Sequence, residues 1–150
     1  MSDAPAAATR DDLGFLLAKA SQRWNEQLQE RFAAAGFPEV RASYGSILVS
    51  LFEEDGLRMG ELAARARLSK QTMTTMVRLL ERDGLVERRA DPLDGRATLV
   101  FLTPRARAFR PVAEATLTDL ARQSRRLLGA TNAETVRDAL RQLADLDRRG

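Results

Sequence analysis

The hydrophobic period of the chain changes abruptly at Gly84, and that change limits the folds open to it. In "SKQTMTTMVRLLERDG", residues 69–84, Met73, Met76, Val77 and Leu80 make one apolar stripe. Gln71, Thr74, Thr75, Arg78 and Arg82 fall mostly on the other side. This is the pattern of a short amphipathic helix. Ser69 suits its N-cap, because the hydroxyl can accept from the otherwise orphaned amide near Thr72. Gly84 can take the left-handed conformation that closes the helix. Two β-forming runs, 85–89 and 97–102, follow at once, joined by the turn "ADPLDG". A plain surface hairpin needs only its turn and its alternation. This one also places Arg88, Arg89 and Arg96 around the turn.

The segments on either side read as helices. Leu13, Leu16, Leu17, Ala20, Trp24, Leu28 and Phe32 recur at three- and four-residue steps, and Gly36 and Pro38 end that run. A second helix is predicted over 38–53, burying Tyr44, Ile47, Leu48, Leu51 and Phe52. A third, short helix over 58–66 turns Leu62 and Ala63 inward. After the hairpin Thr103 caps a new helix with Pro104 in its first position, where no amide bond is lost. Its apolar positions run through Phe109, Val112, Ala113, Leu117, Leu120, Leu127 and Leu128. Pro111 removes one helical bond, which predicts a kink, or a short helix followed by a longer one from near Arg110. Gly129 and Ala130 break the run, and a last helix starting at Thr131 or Asn132 carries Val136, Leu140, Leu143 and Leu146.

The fold class is therefore mainly α with a small β-hairpin: a winged helix-turn-helix with N- and C-terminal dimerisation helices. Four regions are expected. Residues 1–10 form a flexible N-terminal tail and 11–36 an N-terminal dimerisation helix. Residues 37–104 form the winged helix-turn-helix, and 105–150 a C-terminal helical dimerisation region whose end, 147–150, frays. The flanking apolar stripes exceed what the small central unit can cover, which points to a second subunit.

The helix 69–82 can enter a DNA major groove. Ser69, Lys70, Gln71, Thr74 and Thr75 can donate and accept at base edges. Arg78, one turn further on, can reach guanine or a phosphate, and the sequence leaves both open. Arg96 at the hairpin tip suits a backbone phosphate or the minor groove. Asp94 is expected to hold Arg96 or the turn backbone. Arg88 and Arg89 alternate along the strand, so at most one faces the tip contact and the other forms a surface ion pair. Glu81, Asp83, Glu87 and Asp91 dilute the local charge. The same Arg and Thr face could instead contact an acidic protein, because a fold does not establish a function.

Composition removes other classes. The chain has no cysteine and no histidine, so disulfides, thiolate metal sites and histidine-based acid/base centres are excluded. No glycine-rich phosphate loop or carboxylate cluster at metal-site spacing is visible. The expectation is a non-enzyme without cofactor. No apolar run approaches membrane-spanning length and no secretory signal is visible, so a cytoplasmic location is expected. The net charge of +3 is a mild pull toward a polyanion.

The stretch "ELAARARLSKQTMTTMVRLLERDGLVERRADPLDGRATLVFLTPRA" resembles the MarR family of bacterial winged-helix transcription regulators. "ELA", the helix-opening serine, "LLERDGLVERR", "DPLDGR" and "LT" carry the likeness by their order and spacing. The resemblance implies a homodimer that binds a pseudo-palindromic operator, usually as a repressor. Asp94 and Arg96 match the family's wing aspartate and arginine. It also implies a possible small aromatic or phenolic effector, with Trp24, Arg41, Tyr44, Ile47 and Leu48 on elements that could border its pocket. One departure is "TPRARA", where family members often have a glycine soon after "LT".

Overall fold

The computed structural model describes residues 9–146, so most of the expected tail and the expected fraying at 147–150 lie outside the described residues. The chain divides into two compact units, Met1–Val112 and Ala113–Gly150.

The first unit opens with α1 (Leu13–Ala34), whose first turn is capped by Asp12 accepting from the Phe15 amide. A 3-10 turn (Ala42–Tyr44) leads into α2 (Gly45–Glu53). The second helix is thus shorter at its start than the predicted 38–53. The reason is a clamp the periodicity does not show. Gln29 on α1 donates from Nε2 to the Val40 carbonyl at 2.8 Å and accepts from the Ala42 amide at 3.3 Å. These bonds draw the 40–42 backbone, extended at Arg41, onto α1.

β1 (Leu57–Arg58), α3 (Met59–Ala66), α4 (Lys70–Arg82), β2 (Val86–Ala90) and β3 (Thr98–Leu102) follow. The hairpin is one part of a three-stranded antiparallel sheet in the order β1-β3-β2. Leu57 pairs with Val100, and Val86 with Leu102. A two-residue strand is too short to carry a period, so β1 was invisible in the sequence. Gly56 precedes it at φ +71, and a Cβ there would lie 2.7 Å from the Phe101 ring. Glycine is required at this corner for both reasons.

Phe109 joins the core of this unit edge-on to Phe32, with ring centroids 4.7 Å apart. Arg105 lies 4.0 Å over the Phe37 ring and bonds Glu39 Oε1 at 2.6 Å. That bond holds the Glu39 carboxyl below its ordinary value against the opposing effect of burial. Both contacts come from the first turns of α5 (Pro104–Leu128), which runs unbroken through Pro111. The predicted division near Arg110 does not occur. A proline removes one amide donor, and the turns before it are anchored by Ala106 and Phe109, both buried.

In the second unit α5 buries Ala113, Thr116 and Leu120, whereas α6 (Ala130–Ala144) has no buried residue. No described helix is long and apolar enough to cross a membrane.

A long-range polar bond of the first unit joins Tyr44 to the end of α4. The fully buried Tyr44 hydroxyl donates to Asp83 Oδ2 at 2.5 Å. This bond is the main cause holding the Asp83 carboxyl below the ordinary aspartate value of 3.8; burial opposes it and Arg82 assists. A depressed folded-state value contributes stability that is complete above the unfolded value and is lost as pH falls through the folded one. Tyr44→Phe should therefore destabilise by about 2 kcal/mol at neutral pH. The gap to wild type should narrow as pH is taken below 3.8, which urea unfolding at neutral and acid pH will measure.

Candidate nucleic-acid interface

α3 and α4 are joined by residues 67–69. Arg67 takes the left-handed conformation at φ 55 and ψ 42, with its amide bonded to the carbonyls of Ala63 and Ala64. Glycine is the usual choice there, so the tight turn is held by these bonds and not by backbone freedom. Ser69 Oγ accepts from the Thr72 amide at 3.1 Å and donates to Thr72 Oγ1 at 2.9 Å. Its one hydrogen is committed, so Ser69 serves the cap before it serves any ligand.

Met73, Val77 and Leu80 are buried along one side of α4, which packs on α3 and β2. Lys70, Gln71, Thr74, Thr75 and Arg78 are all exposed. At about 100° per residue these five span one continuous face, with Thr75 opposite the buried stripe. The hydroxyls of Thr74 and Thr75 donate to the carbonyls of Lys70 and Gln71 at 2.9 and 3.2 Å. Gly84, at φ +76, ends the helix as the sequence predicted.

The wing between β2 and β3 is held by two aspartates. Asp91 Oδ1 accepts from the Leu93 amide at 2.9 Å, and Oδ2 accepts from Arg58 at 2.7 Å. The Leu93 amide is the main cause holding the Asp91 carboxyl below its ordinary value, with Arg58 assisting against burial. Asp94 Oδ1 accepts from the Arg96 amide at 3.1 Å, which is the turn-backbone role open to it in the sequence. Leu93, between them, is 93% exposed.

The wing arginines differ in availability. Arg88 forks onto Glu81 through Nε and an Nη at 3.1 and 3.0 Å. This bond lowers the Glu81 carboxyl and raises the Arg88 guanidinium. Arg89 pairs with Glu87 and lies 4.5 Å over the Phe101 ring. Among the described residues no carboxylate pairs with Lys70, Arg78 or Arg96. A shallow cleft lined by Arg58, Glu61, Arg96 and Thr98 lies between the start of α3 and the wing.

Asp91, one of the four acids expected to dilute the local charge, is a buried wing anchor. Arg58 was missed with it. The only available signal was the turn chemistry of an aspartate two residues before an amide, which "DPL" does contain. The five residues proposed to border a pocket are not gathered at one opening. Tyr44, Ile47 and Leu48 are sealed in the core, and Trp24 and Arg41 are exposed.

The MarR family model matches residues 42–98, the span from the 3-10 turn to the start of β3. An uncharacterized HTH-type transcriptional regulator of Mycobacterium bovis is 34% identical over 134 residues, which cover 87% of this chain and 86% of that protein. The HTH-type transcriptional regulator TtmR of Methylorubrum extorquens is 36% identical over 64 residues, 43% of this chain and only 33% of that protein's length. Among solved structures, the transcriptional repressor CouR bound to a 23-mer DNA duplex superposes with a TM-score of 0.75 at 24% identity, covering 95% of this chain and 99% of that one. At that identity the likeness shows the fold.

If Asp91 organises the wing, Asp91→Ala should speed amide exchange at Leu93, whose donor loses its acceptor. Amides in the middle of α4 should keep their protection. Residue-resolved hydrogen exchange will read both; unchanged exchange at Leu93 removes Asp91 from this role.

Proposed function

Because the chain belongs to the MarR family of DNA-binding transcription regulators, we propose that it acts in the cytoplasm as a homodimer on a pseudo-palindromic operator, as a ligand-responsive repressor. One observation carries the DNA half of this reading. The exposed face of α4 and the tip of a doubly anchored wing both hold cations that no carboxylate neutralises among the described residues. Such groups bind backbone phosphate and base edges. CouR, of the same fold, was solved on a DNA duplex, which supports the reading.

In this reading Lys70, Gln71, Thr74, Thr75 and Arg78 face the major groove and Arg96 reaches the flanking minor groove or its phosphates. Arg88 contributes less, because Glu81 already holds it. The homodimer is supported by apolar faces left open in each unit. Leu13, Phe15, Leu16 and Trp24 are exposed on α1; Leu117, Leu127, Val136 and Leu140 are exposed on α5 and α6. A small aromatic or phenolic effector is proposed from the family resemblance, with Trp24 and Arg41 as accessible contacts.

Selection of bound duplexes from a random pool should return paired half-sites with centres about one helical turn apart. Arg96→Ala should weaken operator binding and flatten its salt dependence by roughly one ion, with folding retained. Gln71→Ala should relax preference at one base position by about 1–3 kcal/mol; equal loss on every duplex would take Gln71 out of base readout. Light scattering at micromolar protein should give a dimer, and a monomer that still holds the full operator tightly would contradict the paired arrangement. No retention of any duplex at low salt would favour an acidic protein as the partner.

A further inference from the structure

We propose that Thr74 and Thr75 read thymine through their γ-methyl groups, and that neither hydroxyl donates to a base. The inference rests on the reading that α4 enters the major groove, and it specifies what the groove must present there.

A threonine hydroxyl has one hydrogen. In Thr74 it goes to the Lys70 carbonyl at 2.9 Å, and in Thr75 to the Gln71 carbonyl at 3.2 Å. Both side chains are exposed, so these bonds are not imposed by a packed neighbour. With Oγ1 turned back along the helix, each side chain offers outward a methyl group and acceptor lone pairs. Guanine presents only acceptors in the major groove, N7 and O6, and such a threonine has no hydrogen for them. Cytosine presents an amino donor without a methyl. An A·T pair alone combines an amino donor, on adenine, with a methyl, on thymine.

The residue choice has a cost that solvation does not explain. Threonine is a weak helix former, and back-bonding to the preceding turn adds to the penalty. A merely solvated face would be better served by glutamate, lysine or alanine. Two adjacent β-branched residues at the exposed centre of a recognition helix place two methyl groups where no core exists to receive them. Donors for guanine are supplied elsewhere on the same face, by Lys70 and Arg78.

The test uses the full chain and a duplex selected from a random pool. Half-site thymines are replaced one at a time by deoxyuridine, which removes the 5-methyl and keeps the pairing. Wild type should lose roughly four-fold at one or two positions, the effect of one buried methyl group. Thr74→Ser and Thr75→Ser should bind the thymine duplex more weakly and become indifferent to uracil at the matching position. Thr74→Val and Thr75→Val keep a methyl and lack the hydroxyl, so they should retain uracil sensitivity and lose only what the missing acceptor contributed. Thermal melts of the free variants confirm that folding is unchanged. Tight, specific wild-type binding with no uracil effect at any half-site thymine would overturn the inference and leave DNA binding standing. So would valine variants that lose sequence preference where the serine variants keep it. Failure of wild type to hold any duplex at low salt would remove the DNA reading itself, and the inference with it.

Discussion

The burial of Met73, Val77 and Leu80 along one side of α4 fixes what the rest of the molecule can present. Each such side chain contributes about 1.5–3 kcal/mol when taken out of water. Rotating the helix by one residue would expose that stripe and bury Thr74 and Arg78 in its place, so the rotation is forbidden by a wide margin. The ends are fixed separately. Ser69 holds the first turn, and the bond from Tyr44 to Asp83 holds the last. Three independent constraints therefore set the position, rotation and length of one thirteen-residue helix. The polar face is a consequence of where the apolar one must go.

Charge is distributed by a second principle. Exposed ion pairs such as Arg88 with Glu81 add little stability, about 0–1 kcal/mol. Their effect is selective: they occupy some guanidinium groups and leave others. Arg88 and Arg89 are occupied, whereas Arg96 is not. A small net charge of +3 thus coexists with local sites of unneutralised cation. Long-range attraction to a polyanion is correspondingly modest, and discrimination depends on where the free groups sit.

Much of this was legible because it is local. The stripe and cap of α4, the left-handed Gly84 and the Asp94 turn all involve residues within a few positions of one another, where helix and turn chemistry apply directly. What escaped the sequence joins distant positions. Tyr44 finds Asp83, Arg58 finds Asp91, and Gln29 finds the 40–42 backbone, and no periodicity marks such partners. The second helix was read too long because a side-chain clamp outweighed a continuous helical pattern. A kink or a division at Pro111 is expected because a proline's cost is visible in sequence, while the anchoring of Ala106 and Phe109 that offsets it is not. Arg88 is held by Glu81 on α4, through a pairing that only the fold creates.

α6 has fifteen residues and buries none of them. A helix of that length is marginal in water by itself. In the homodimer proposed above its order would come from the partner copy, and mass action would govern how much is available. In that assembly dilution would act on this segment as heating does, and the number of copies in a compartment would become a thermodynamic variable of the fold.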